Sequence, residues 1–442
     1  MDLKELLREA GVVGAGGAGF PSYAKIAEGA DTLLINAAEC EPLLFTDFVL
    51  LQEELETVAD GARILANALG VQSVFLAIKG HRAEKLGLED GEEIASGVKV
   101  SILPDVYPMG DEISLIYQVT GRLVQPGQLP ITRGVVVYNV ETLYNVSRAY
   151  RQGCPVTEKW LTVAGDLPEG KSAVVRVPIG MRVSELFDRL GITVPETHAL
   201  LDGGPSMGRI VSPKKAVVTK TTKALLVLPR TVPAVTVKLR PLDRHITVAN
   251  AVCCQCSSCT EMCPRALLGY PLEPHRLVRA SREVVEAFPA QFTTAALCSG
   301  CGICEISACG QYISPRAVIA HQKKVLAKNK LRFKAEKQYT PDPTRDTRMV
   351  PSARWRSLLG VARFHHLPPY VGGIDAKEAS LPLGTHVGAP SVPLVKVGDT
   401  VRAGEKIAEA ADGLSVAQHA PFDGQVVSVD SRAVRIRRET AE

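Results

Sequence analysis

Nowhere do the 442 residues hold an uninterrupted apolar run near the roughly 18 to 20 that a membrane-spanning helix requires, so no helical span is expected. The opening MDLKELLREAGVV carries acids where the first region of a secretory signal would be basic. The expected location is the cytoplasm. Neither sign of charge dominates: 51 Lys and Arg stand against 47 Asp and Glu, and a net +4 is too small to make the surface a field for polyanions. Nucleic acid is therefore not an expected partner. With 46% apolar and 22% charged residues the chain is not disordered, and its length allows about three domains. A disulfide framework is not expected in a reducing compartment. Most of the 11 cysteines fall instead within 253–263 and 298–309, a clustering that points to metal.

The first window places Cys253, Cys256, Cys259 and Cys263 in the pattern C-x2-C-x2-C-x3-C-P, the bacterial 4Fe–4S spacing. Three thiolates two residues apart wrap a loop over one face of a cubane, and the fourth reaches a more distant iron. The second window repeats this with Cys298, Cys301, Cys304 and Cys309, adding one residue before the last cysteine and replacing proline by glycine. In two-cluster ferredoxin folds the fourth cysteine ligates the other cluster. The expected sets are thus Cys253, Cys256, Cys259 and Cys309 on one cube, and Cys298, Cys301, Cys304 and Cys263 on the other. Structural zinc usually takes two C-x2-C pairs separated by a longer loop. Cys254 is surplus to the pattern and reads either as a replacement for Cys253 or as a small buried hydrophobe.

Residues 11–25, GVVGAGGAGFPSYAK, contain Gly14, Gly16, Gly17 and Gly19, which let backbone amides approach an anion without side-chain clash. The segment does not follow a strand, so it is no Rossmann fingerprint, and alone it reads equally as a flexible loop. A buried strand over 32–36 ends in Asn36-Ala-Ala-Glu39-Cys40-Glu41-Pro42, placing an amide and two carboxylates where α/β folds collect ligands. Strands over 73–78 and 134–138 and a helix over 52–69 complete a βαβ-like domain, the last strand running into Asn139 and a helix-capping pattern.

GAGGAGFP (14–21), NAAECEP (36–42), YPMGDE (107–112) and YNVETLYNV (138–146) occur in this order in a known family. On these motifs the chain resembles the NADH-oxidising flavoprotein subunit of respiratory complex I, and more closely the RnfC-type subunits and the cobalamin reductases of propanediol-utilisation microcompartments. The resemblance implies FMN in the glycine-rich loop, with Gly14, Gly16, Gly17 and Gly19 around its phosphate and ribityl chain and Lys25 nearby. It implies flavin contacts at Asn36, Tyr107, Gly110, Glu112, Asn139 and Thr142. Glu39 and Glu41 match acidic positions beside the nicotinamide and ribose, and Phe20 an aromatic that stacks on adenine. Read as residues alone, Phe20 also suits the core and either Glu a solvated cap. Ala38 departs from the complex I pattern, which is acidic there.

The organisation expected is multidomain α/β and α+β: an FMN/NADH domain over 1–150, a β-grasp module resembling soluble-ligand-binding β-grasp domains over 155–235, and a helical two-cluster ferredoxin-like domain over 243–337. A linker over 338–373 and a biotinyl/lipoyl-like barrel-sandwich over 374–442 follow. The barrel-sandwich tip, 411–416, has no lysine to modify, so the module reads as a docking or structural unit. RnfC-type subunits carry that domain before the flavin domain; here it comes last, as in the microcompartment enzymes. The lysines of 321–337 read as a docking surface for an acidic partner or as a solvated helix face. The function implied is electron transfer from NADH through FMN and two 4Fe–4S clusters to a corrinoid, with an adenosyltransferase and a shell protein as partners inside a bacterial microcompartment. Glu41 and Glu112 would orient rather than react. The alternatives are an electron-input component of an ion-translocating membrane complex and a non-catalytic electron-transfer or scaffold protein.

Overall fold

The computed structural model describes residues 2–439. Its first domain is built on β1 (Thr32–Ala37), β2 (Ser73–Lys79), β3 (Val98–Leu103) and β4 (Val135–Asn139). TLLINA, SVFLAIK and VVVYN are near-continuous apolar runs, as strands covered on both faces must be. They pair in parallel in the order β3-β2-β1-β4, with the short antiparallel edge Glu93–Ile94 beside β3. The order reverses between β1 and β4, and the carboxyl ends of those two strands open a crevice. Helices α1 (Thr46–Leu69), α2 (Glu112–Thr120) and α3 (Val140–Gln152) flank the sheet. α1 and α3 cross closely at Gly61, where a Cβ would collide with the Leu143 carbonyl.

The second domain is a mixed sheet of β5 (Glu158–Gly165), β6 (Ala173–Pro178), β7 (His198–Asp202), β8 (Arg209–Val211) and β9 (Ala224–Pro229), with α4 (Val183–Leu190) packed on it. β5 and β6 form a hairpin and β9 runs parallel to β5, the β-grasp arrangement. Between residues 243 and 328 the chain runs through short helices that end in α5 (Pro315–Lys328), with both cysteine windows on one-turn helices and the loops around them. Beyond Lys328 the basic stretch is not helical, so it is only in part a helix face.

The stretch 338–373 is more than a connector. β10 (Val350–Pro351) pairs with Val106–Tyr107 of the first domain, Trp355 is fully buried, and β11 (Tyr370–Gly373) extends the β-grasp sheet beside β6. Tyr370 stacks on Trp160 with ring centroids 4.8 Å apart. The expectation of a linker fails because apolar residues at 350, 355, 359, 361 and 364 are buried against both neighbouring domains. The C-terminal domain has two small sheets, one of four strands and one of three, and its buried Ile407, Phe422 and Val434 join the same core as the first two domains. No helix among the described residues is long and apolar enough to cross a membrane.

Candidate functional site

A cleft of about 310 Å³ lies at the β1/β4 crevice, lined by Gly16, Asn36, Glu39, Glu41, Gly110, Glu112 and Asn139 together with Cys40, Asp47, Met207, Lys223 and Cys301. The loop after β1 holds Glu39 at φ 34° and Leu43 at φ 65°, conformations that cost energy and recur at functional sites. Gly110 forms part of the floor; a Cβ there would meet Cys40 Sγ at 3.0 Å. Two of the expected flavin-contact amides already serve the scaffold. Asn36 Nδ2 donates to the Gly110 carbonyl at 3.0 Å, and Asn139 Nδ2 to Asp47 Oδ2 at 2.8 Å, while Asn139 Oδ1 caps α3 by accepting from Glu141 N.

The glycine-rich segment is a closed turn, with Gly14 N donating to the Phe20 carbonyl and Gly19 N to the Gly14 carbonyl. Gly16 and Gly17 stand exposed at its tip, and only Gly16 lines the cleft. Gly19 faces the C-terminal domain instead, its carbonyl accepting from Val387 N. Thr142 is buried behind the turn and accepts from Ala15 N at 2.9 Å. Phe20 is half-buried at the neck and is not part of the cleft lining. Lys25 reaches Glu112 at 3.1 Å and the Val137 carbonyl at 2.9 Å.

The two acids after β1 have different duties. Glu39 accepts from Asp47 N and Phe48 N, so a carboxylate sits at the N-terminus of α1. Burial, and then neighbouring Asp47, hold its pKa above the usual carboxylate range. Glu41 is no solvated cap: its oxygens accept from Ser206 N and Met207 N, both at 2.9 Å, and from Tyr107 Oη at 3.3 Å. Glu41 thus joins the first domain to the β-grasp loop. Behind the cleft Lys223 donates to Asp47 at 2.6 Å and Glu141 at 3.2 Å, and Glu141 also pairs with buried Lys159. Burial pulls Lys223 down, but Asp47 and Glu141 more than offset it, and its pKa rises; Lys159, lowered first by burial and with Lys223 as a like charge, falls to about 8. Asp47, Lys159 and Lys223 are marked by no local motif, and Glu141, although inside YNVETLYNV, has partners that the motif does not reveal.

Tyr107 links the cleft to the cysteines. Its ring stacks on Trp355 at 4.6 Å and its hydroxyl donates to the Cys301 carbonyl at 2.7 Å. Cys301 lines the cleft, and Cys263 lies close enough to Cys298, Cys301 and Cys304 for their charges to interact. Cys253, Cys256, Cys259 and Cys309 line a separate recess of about 200 Å³. Cys254 shares that recess but is exposed, so it is not a buried hydrophobe. Each quartet is a set of soft thiol donors suited to an iron–sulfur cluster. No group of His, Cys, Asp and Glu among the described residues is gathered as round a single metal ion.

Residues 7–148 match the Nuo51 FMN-binding domain, 252–314 a 4Fe-4S dicluster domain, and 373–441 the RnfC barrel sandwich hybrid domain. With the switch-point cleft and its adjoining thiols, these matches define a flavin and iron–sulfur oxidoreductase. The chain is 37% identical to cobalamin reductase PduS of Salmonella typhimurium and 36% to that of Citrobacter freundii, in each case over 99% of its own length and 96% of the relative's. It belongs to the family of these PduS cobalamin reductases. A component of the ion-translocating oxidoreductase complex of Rhodobacter capsulatus is 36% identical over 60% of the chain and 49% of that protein.

Proposed function

We propose that this protein carries electrons from NADH through FMN and two 4Fe–4S clusters to a corrinoid, taking cob(III)alamin and cob(II)alamin to cob(I)alamin. One observation carries the reading: Cys301, of one thiol quartet, lines the same cleft as Gly16, Asn36, Gly110, Glu112 and Asn139. When bound there, a flavin accepts the two electrons of a hydride together and releases them singly. Gly16 and Gly110 leave room for it, Asn36 and Asn139 keep the walls in place, and Gly14, Gly17, Gly19 and Thr142 shape the loop above. Lys25 holds Glu112 in position, Glu39 fixes the loop after β1 on the first amides of α1, and Glu41 fixes it on the β-grasp loop. Tyr107 sets the Cys301 loop against the cleft. The quartet of Cys263, Cys298, Cys301 and Cys304 stands nearer the cleft, and that of Cys253, Cys256, Cys259 and Cys309 lies farther out. Two one-electron reductions of the corrinoid match the two electrons NADH gives up. The name of the full-length relatives supports the corrinoid as acceptor. An adenosyltransferase that consumes cob(I)alamin, and enclosure in a microcompartment, complete the proposal.

The test is anaerobic: protein loaded with FMN and reconstituted clusters receives NADH and then hydroxocobalamin, with absorbance followed for cob(II)alamin and, with adenosyltransferase and ATP, for adenosylcobalamin. Reduction that requires both NADH and FMN is the expected result. Bleaching of flavin and clusters with cobalamin left oxidised removes the corrinoid from the reading and favours an electron-input component of a larger complex. No bleaching with NADH removes the oxidoreductase activity itself.

A further inference from the structure

Met207 also forms part of a second recess, of about 720 Å³, between the β-grasp domain and α5. Its lining is lopsided in charge: Arg209, Lys238, Arg240, Arg316 and Lys324 face it against the lone carboxylate of Glu305. Arg209 is paired with Asp202 and Arg316 with Glu305. Lys238, Arg240 and Lys324 have no carboxylate partner among the described residues. Lys238 Nζ and Arg316 Nη1 donate to the same oxygen, the Ser206 carbonyl. Burial, with Arg316 beside it, pushes Lys238 down to about 8. His321 Nε2, also in the lining, is buried with no hydrogen-bond partner. Two cations on one neutral oxygen repel, and an anion relieves that repulsion. Lys238 and Arg316 are half-buried whereas Arg240 and Lys324 are exposed, so a small molecule can reach the former pair and a flat protein surface cannot. One wall is Gly300, whose amide donates to Cys298 Sγ at 3.3 Å and whose carbonyl accepts from Arg316 at 3.4 Å.

We propose that this recess seats the electron acceptor through a phosphate group, held between Lys238, Arg240 and Lys324 against the Cys298 loop. The proposal rests on the corrinoid reading above, since a corrinoid with its nucleotide loop carries one phosphodiester and cobinamide carries none.

Calorimetric titration of hydroxocobalamin and of cobinamide into the intact protein tests it. Cobalamin is expected to bind about tenfold more tightly, about 1.4 kcal/mol. Arg240→Glu and Lys324→Glu, both exposed, are expected to erase that gap with NADH affinity unchanged, and Lys238→Met to do the same from within. Equal binding of the two corrinoids, or a gap that survives the Arg240 and Lys324 substitutions, overturns the proposal. Lost NADH affinity with corrinoid binding untouched also overturns it, by giving the recess to the donor's pyrophosphate. Cobalamin binding through these cations without NADH-driven reduction upholds the site and fails the reductase reading.

Discussion

Lys220 sits where the N-terminal loop, the β-grasp domain and the C-terminal domain meet, donating to Gly11 O at 2.8 Å and Ala417 O at 3.1 Å. Burial alone pushes it from 10.5 down to about 7. A lysine whose folded pKa lies below its unfolded one adds stability that is present above the unfolded value and lost as pH falls through the folded one. Stability is therefore expected to rise with pH between about 7 and 10.5, and Lys220→Met to flatten that slope in urea unfolding at a series of pH values. The neighbouring His419, held near 3 chiefly by burial, stays neutral throughout this window. Among the cysteines, Cys253→Ser is expected to lose one cluster's iron and part of the visible absorption, and Cys254→Ser to keep both. Iron content per chain measures each outcome, and retention of both clusters in Cys253→Ser would transfer the ligand role to Cys254. The two cysteine windows of the 4Fe-4S dicluster region were legible because their spacing is local. Asn36 and Asn139 were legible as residues at strand ends, but their hydrogen bonds within the scaffold were not, because the partners Gly110 and Asp47 are remote in sequence.

Among the elements, the buried strands follow directly from sequence: apolar runs reproduce Thr32–Ala37 and Ser73–Lys79 closely. The packed stretch after Tyr339 does not. β10 has two residues and β11 four, too few to show a period, and their pairing is supplied by Val106–Tyr107 and by β6. Trp355 holds this stretch down, stacking on Tyr107 and donating from Nε1 to Ser206 Oγ at 3.0 Å. Trp355→Ala is expected to destabilise the protein by about 3–5 kcal/mol, read from the denaturation midpoint. It is also expected to weaken FMN retention by freeing Tyr107, measured as bound flavin per chain. A destabilised variant that keeps its flavin would show that Trp355 serves stability only.

Over the whole molecule, the C-terminal domain is pinned on the glycine-rich loop. Arg8 donates to the Ala411 carbonyl at 2.9 Å, Tyr23 Oη donates to the Gly413 carbonyl at 3.2 Å and accepts from Ser415 N, and Gly19 lies against Thr385 and His386. The tip that a carrier domain would swing is thus bonded to the first domain. Tyr23→Phe combined with Arg8→Ala is expected to raise hydrogen exchange at 411–416 and to accelerate FMN loss on dilution. Unchanged exchange there would mean that the buried Val416 and Ala417 alone hold the tip.

By itself the sequence determined the two cysteine windows, the apolar strands and the glycine-rich loop, because residue spacing, burial pattern and backbone freedom are properties of neighbours along the chain. Only the tertiary structure decided that Lys223 reaches Asp47 across 176 residues and that Glu41 is held by Ser206 and Met207. It alone set Cys301 at the cleft between β1 and β4 and placed around the neighbouring recess cations that have no carboxylate partner among the described residues. The physical reason is that desolvation and charge pairing depend on which distant segments share a volume, and no spacing along the chain records that.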